Sequence, residues 1–386
     1  MRFFHLSDLH IGLKLVNRDL REDQEYIFSQ IAALAGEHKP DAIVIAGDIY
    51  DRAVPSAEAV ELFDDFLRML TGACPGAEIM MISGNHDSAP RVNLYRGLLK
   101  RQHIHMIGMP PVREGEHIEK VTLADDHGKV NFYLLPFVRP SMVKEITGTD
   151  EKGNNLSYDE TLRRLILREN INAAERNVLV SHQFSLPAGT SAEEVDRADS
   201  EIVTVGNIDQ VSADVLEDFD YAALGHIHKP MKVGQEAFRY CGTPLACSVS
   251  EAGQEKAVLL VEMGEKTKVQ IQALPLHPLR RVRRIRGSLS EVLMMPSEDY
   301  VSVTLTDTVD LDVLDMQDRL RNAFPNLLEI RRETERRADY RAAENAARRE
   351  RDPFELCLDF LGELLPGEEE LLRDVMNTVS GEGEEG

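Results

Sequence analysis

Ala42-Ile43-Val44-Ile45-Ala46-Gly47-Asp48 is an apolar run stopped by a glycine and a carboxylate. An unbroken run of this length reads as a strand covered on both faces, and Gly47 allows the tight backbone turn that presents Asp48 at its end. The same figure recurs four times. Residues 3–6 lead into Ser7-Asp8-Leu9-His10, 79–82 into Gly84-Asn85-His86-Asp87, 178–180 into Ser181-His182, and 221–224 into Gly225-His226-Ile227-His228. Between the runs lie helical patterns: Tyr26, Ile27, Ile31 and Leu34 share one spacing, and Ser56 reads as the N-cap of a stripe formed by Val60, Leu62, Phe63, Phe66, Leu67 and Leu70. Alternating strands and helices predict an α/β fold. Further strand patterns at 130–135, 238–240, 257–262 and 269–272 come largely without helices between them, so two packed β-sheets flanked by helices are expected.

The texture changes near Pro275 and Pro278. Arg281-Val-Arg-Arg-Ile-Arg286, a strand pattern at 301–305, an amphipathic helix at 311–324 and a strand at 327–330 predict a small separate α/β module over residues 278–333, after a first domain of 1–277. Residues 334–386 read as a helical tail. Its first part, rich in Arg, Glu and Ala, is a solvated linker, and its second places Phe354, Cys357, Leu361 and Leu364 on one helix side before Pro366-Gly367 and another apolar stripe. Such a hairpin has little of its own chain to bury against, so a protein partner is expected to cover it.

The chain has 386 residues and a net charge of −23. The charge is uneven: from 352 to the end eleven acids face one base, whereas residues 280–351 hold 15 Arg against 14 acids. A nucleic-acid substrate would need bound cations or a local arginine surface such as Arg281 and Arg284, because the whole-protein field repels it. For those arginines a solubilising edge strand is an equally good reading. No apolar stretch suits a signal peptide or a membrane span, which predicts a cytoplasmic protein. The four cysteines form no paired spacing, so reduced and mostly buried thiols are expected.

Asp, Asn and His are oxygen and imidazole donors suited to Mn²⁺, Fe or Zn²⁺. If the strands run on, Asp8 and His10 project from one face with Leu9 turned away, and His226 and His228 do the same around Ile227. One carboxylate at Asp48 can bridge two cations. A single Asp-x-His or Gly-Asn-His-Asp is weak and often only a turn; all of them together, each at a strand end, are specific.

The series Asp-x-His, Gly-Asp-x-x-Asp, Gly-Asn-His-Asp, His and Gly-His-x-His resembles the calcineurin-like metallophosphoesterases, and within them the bacterial nucleases that partner an SMC-like ATPase. Gly47-Asp48-Ile49-Tyr50-Asp51, Leu224-Gly225-His226-Ile227-His228 and Tyr240-Cys241-Gly242-Thr243-Pro244 carry the closer match. The resemblance implies a metallophosphoesterase sandwich with a capping domain and an ATPase-docking C-terminal hairpin. It implies one divalent ion held by Asp8, His10, Asp48 and His228, a second by Asp48, Asn85, His182 and His226, with manganese expected. His86, beside a ligand but facing elsewhere, is the candidate proton donor to the leaving oxygen, and Asp51 is expected to accept a hydrogen bond from it. The expected activity is exonucleolytic and hairpin-endonucleolytic cleavage of DNA phosphodiesters in repair, recombination and replication. A homodimer within a heterotetramer is implied, meeting through helices near 59–70 and 94–99 unless those stripes are core. Two other readings stand beside it: a small-molecule or protein phosphatase or phosphodiesterase with the same centre, and a non-catalytic DNA-end scaffold. The remaining histidines, His5 among them, are expected to be ordinary core or solvated residues.

Overall fold

In a computed structural model, residues 1–333 are described except 95, 188, 191–197, 202–208 and 308–312; beyond 333 only Leu372 and Val375 are. The expected apolar hairpin, with Phe354, Cys357, Leu361 and Leu364, therefore lies outside the described residues.

The apolar run before Gly47 is the Ala42–Ala46 strand, buried at every position. Alternation explains why no polar residue is tolerated there. Ala42, Val44 and Ala46 face a second sheet, while Ile43 and Ile45 face a helical layer. Its sheet has six strands in the order Val269–Leu276, Lys256–Met263, Arg2–Leu6, Ala42–Ala46, Glu78–Ile82 and Ile104–Ile107. The last four run parallel, and Lys256–Met263 closes the other side antiparallel to Arg2–Leu6, with Arg2 opposite Glu262. The second sheet also has six strands, ordered Met231–Val233, Gln235–Tyr240, Tyr221–Leu224, Arg176–Ser181, Gly128–Leu135 and Glu119–Asp125.

The two sheets pack face to face through Phe3, Val44, Met80, Ile82, Phe132, Val178, Val180 and Tyr221. Phe3 sits edge-on to Phe132 and Tyr221 at 5.3 and 5.5 Å between ring centres, an arrangement aromatic quadrupoles favour. Helices Arg21–His38 and Ala57–Ala73 cover the first sheet, and Pro140–Thr147 and Tyr158–Leu167 cover the second. Ser56 caps Ala57–Ala73 by accepting from the Ala59 N–H. That helix's stripe is intrachain core: Phe66 stacks on Phe28 at 4.3 Å, with Leu62, Phe63 and Leu70 buried beside it. In the 94–99 segment, by contrast, Leu94 and Leu98 stand exposed.

Residues 282–332 form a separate parallel sheet, Val282–Gly287, Tyr300–Leu305 and Leu327–Arg332, with the Val313–Ala323 helix and its own core of Ile285, Val301, Val303, Leu320 and Phe324. Contacts to the first domain are both apolar and polar, with Tyr300, Val282 and Leu328 packed against its core. Arg280 pairs with Glu22 and Asp23 at 2.6 and 2.8 Å, and the Tyr300 hydroxyl donates to Asp23 at 2.7 Å. Arg281 precedes the edge strand and Arg284 lies within it, at opposite parities, so the two do not share a strand face. Both still line a cavity of about 670 Å³ at the seam between the module and the Lys256–Met263 region, where Arg284 Nε also donates to the Val249 carbonyl at 2.9 Å. Among the described residues no helix is long and apolar enough to cross a membrane.

Candidate metal centre

Every strand that carries a candidate donor stops before it. Arg2–Leu6 ends two residues ahead of Asp8, and Tyr221–Leu224 two ahead of His226. The pairs Asp8/His10 and His226/His228 are thus presented by loops, which corrects the expectation that strand alternation aims them. The loops turn through the left-handed region instead: φ is +52° at Asp8, +42° at His10, +49° at Asp48 and +102° at His226. Positive φ at non-glycine residues costs on the order of 1 kcal/mol or more each and persists where surrounding structure imposes it. Here cross-loop bonds impose it, with Asp8 N–H donating to the Gly47 carbonyl and His10 N–H to that of Asp48, both at 3.0 Å.

Two glycines let the loops approach. A Cβ on Gly47 would fall 2.2 Å from His182 Nδ1, and one on Gly225 only 1.9 Å from the Ala46 carbonyl oxygen. Both positions demand glycine for space, and Gly47, at φ +88°, for backbone conformation as well.

All seven expected donors converge. Asn85 Oδ1 lies 3.1 Å from His182 Nε2 and 2.9 Å from His226 Nδ1, and His10 Nε2 meets His228 Nε2 at 3.1 Å. Asp48 Oδ2 sits between the two sets, 3.2 Å from His182 Nε2 and 3.7 Å from His10 Nε2. Asp8 is held by Ser7 Oγ and by the His226 N–H at 3.0 Å. All except partly buried Asn85 are buried.

The chemistry of the donor set fits divalent cations. His182 Nδ1 faces the Ala46 carbonyl at 2.7 Å; a carbonyl only accepts, so Nδ1 carries a proton and Nε2 is the nitrogen turned inward. His228 Nδ1 likewise faces the Glu251 carboxylate at 3.3 Å and Ser200 Oγ at 2.9 Å. His10 Nδ1 is buried with no hydrogen-bond partner among the described residues. Electrostatics agree: burial penalises charge on Asp48, but the imidazoles of His182, His86 and His10 outweigh it and hold the carboxyl well below its usual range. Burial likewise opposes charge on His182, yet Asp48 and Asp8 lift it to about 9. Burial, against the pull of Asp48, keeps His10 well below an ordinary histidine.

His86 faces away from Asn85. Its N–H donates to Asp48 Oδ1 at 2.9 Å, and its ring Nδ1 meets the backbone carbonyl of Asp51 at 3.0 Å. The expected partner residue is there, but through its main chain; the Asp51 carboxylate points to Arg52 and lies 3.9 Å from His10 Nδ1. Asp87 anchors the loop by accepting from the N–H groups of Ile49, Tyr50 and Gly84.

Sequence reasoning missed Glu251 and Lys256. Glu251 is 1% exposed, pairs with Lys256 Nζ at 2.6 Å and accepts from Thr243 at 3.0 Å, directly behind His228. The one signal was position: both follow the matched Tyr240–Pro244 stretch in an otherwise polar segment that reads as solvated loop.

A family model described as calcineurin-like phosphoesterase matches residues 1–230, and a second, SbcD_C, described as type 5 capsule protein repressor C-terminal domain, matches 275–363. Two curated relatives each bear the name of a subunit of the nuclease SbcCD. The protein of Staphylococcus epidermidis (strain ATCC 12228) is 27% identical over 338 residues, covering 86% of this chain and 85% of its own. That of Staphylococcus saprophyticus (strain ATCC 15305) is 27% identical over 341 residues, with the same coverage. With more than half its length matched and the donor loops inside the matched span, the chain belongs to the calcineurin-like phosphoesterases.

Proposed function

We propose that this chain is a metal-dependent nuclease that hydrolyses DNA phosphodiester bonds together with an SbcC-type SMC-like ATPase. The observation that carries the reading is the position of Asp48 Oδ2 between His10 and His182, one imidazole from each of two donor sets. Relatives named as part of a nuclease, matched over most of both chains, narrow the substrate to nucleic acid.

In this reading Asp8, His10, Asp48 and His228 hold one divalent cation, and Asp48, Asn85, His182 and His226 the other; manganese is the ion to test first. Such a pair supplies Lewis acidity, charge neutralisation and activation of water for attack on phosphorus. The chain's own residues do the rest. The left-handed loops and the Ala46 and Glu251 acceptors fix the donor orientations. His86, tethered at Nδ1 by the Asp51 carbonyl, keeps Nε2 for the leaving oxygen as general acid. Asp51 acts by positioning that ring. The organisation proposed is a nuclease domain over 1–277, a capping module over 278–333 whose Arg281 and Arg284 meet DNA phosphates, and a tail over 334–386 that docks on SbcC through Phe354, Cys357, Leu361 and Leu364. A cytoplasmic homodimer within a heterotetramer completes it, with the exposed Leu94 and Leu98 available for the contact between copies.

Manganese-dependent release of nucleotides from a linear duplex, measured against turnover of a chromogenic phosphomonoester, tests the reading. Nucleotide release with little monoester turnover is expected; the reverse would make the chain a phosphatase. Asp48→Ala should lose both cations by metal analysis, and two ions per chain in that variant would overturn the bridging role.

A further inference from the structure

Cys247 stands in the loop after the Gln235–Tyr240 strand, and its sulfur, His10 and His228 offer donor atoms that all lie within 4.8 Å of one another on buried residues. An imidazole nitrogen and a thiolate sulfur sharing one ion stand at most roughly 4.4 Å apart, from bonds of about 2.1 and 2.3 Å. The three are thus close to the spacing of a common ion. Among the described residues the thiol has little else to bind: its polar contact is the Leu245 carbonyl two residues back, at 3.5 Å.

Glu251 places the cysteine and the histidine together. Its Oε1 accepts from the Cys247 backbone N–H at 3.1 Å, from Ser200 Oγ at 3.1 Å and from Ser248 Oγ at 3.2 Å, and lies 3.3 Å from His228 Nδ1. Its Oε2 takes Lys256 and Thr243. A single buried carboxylate therefore sets both the inward face of His228 and the backbone carrying Cys247. A second observation concerns the other side of the cluster: the His10 ring, 2% exposed, has no hydrogen-bond partner at Nδ1 among the described residues, the Asp51 carboxylate standing 3.9 Å away, and has Nε2 turned to another imidazole. Hydrogen bonding among the described residues does not account for that orientation.

We propose that Cys247 is an additional donor, a thiolate, to the cation grouped with His10 and His228. The inference rests on the metal-pair reading above and adds to it an asymmetry. One position becomes a mixed nitrogen, oxygen and sulfur site that favours Zn²⁺, Fe²⁺ or Co²⁺, while the other, with Asn85, His182 and His226, keeps donors suited to manganese. On binding, the S–H bond breaks, its electron pair goes to the cation and the proton passes to solvent.

The test is the absorption spectrum of the full chain loaded with Co²⁺. The wild type should show a near-ultraviolet thiolate-to-cobalt charge-transfer band that disappears in Cys247→Ser and in Cys247→Ala. It should persist in Cys241→Ser, whose thiol instead contacts Ser7 Oγ at 3.0 Å. Metal analysis accompanies each spectrum. Two cobalt ions per chain without the band, or a band untouched in both Cys247 variants, overturns the thiolate while leaving the metal pair standing. A wild type that takes up no cobalt removes both. Should one Cys247 variant fail to fold, the other decides, and a cobalt-loaded wild type without the band already overturns the thiolate.

Discussion

Asn85 and His86 are neighbours, yet the bend at 85–87 sends the amide toward His182 and His226 and the imidazole toward Asp51 and His10. Removing the second should leave the first in place. His86→Ala is expected to keep both cations and DNA affinity while cleavage falls about 10²–10⁴-fold, the usual contribution of a positioned proton donor. Metal loss in that variant would make the defect structural. His5 offers a separate residue-scale test. Fully buried between the Tyr221 hydroxyl and the Leu224 carbonyl, its imidazole is pushed down to about 3 by desolvation. The unfolded chain protonates this side chain below about pH 6.5, whereas the folded one stays neutral to about pH 3. The unfolded state thus binds more protons in that window, and stability must fall as pH falls, by at most about 1.4 kcal/mol per pH unit. Urea midpoints at pH 7.5 and 5.5, with His5→Gln as reference, measure it; equal pH dependence in both proteins would sink the account.

At the level of elements, the strands were the most legible part of the sequence. Residues 42–46 and 221–224 are apolar on both faces because both faces are covered, and such runs have few other readings. The donor residues were legible for the same reason, since each interrupts an apolar run with a group that has no place in a core. How the loops aim them was not: positive φ at Asp8, His10 and His226 comes from cross-loop bonds such as Asp8 to Gly47, which lie far apart in sequence. Glu251 was hidden because a carboxylate in a polar stretch looks solvated until its partners Lys256, Thr243 and His228 are assembled around it. The Val282–Gly287 edge strand carries the remaining element-scale expectation. Arg281 and Arg284 face the same seam cavity from opposite parities, so an Arg281→Ala/Arg284→Ala protein should show a salt dependence of DNA binding shallower by about one to two counterions. An unchanged slope in a binding titration from low to moderate salt removes these arginines from the interface.

Over the whole molecule, each donor set draws on both layers. Asp8, His10, Asp48 and Asn85 follow strands of one sheet and His182, His226 and His228 strands of the other, so the centre exists only when the sheets are docked. The first sheet is itself completed late, by Lys256–Met263 lying against Arg2–Leu6. A protein ending at residue 230, where the family match stops, should therefore collect in the pellet, because Arg2–Leu6 keeps an unpaired apolar edge. A protein ending at 333 should stay soluble and bind cations, and a soluble 1–230 with cooperative melting would contradict this. The pairing of Arg2 with Glu262 also sets a schedule for the nascent chain. At about 5–20 residues per second of translation, the opening strand waits on the order of ten to fifty seconds for its flank to leave the ribosome. Through that interval it is a natural client for chaperones that shield extended apolar segments.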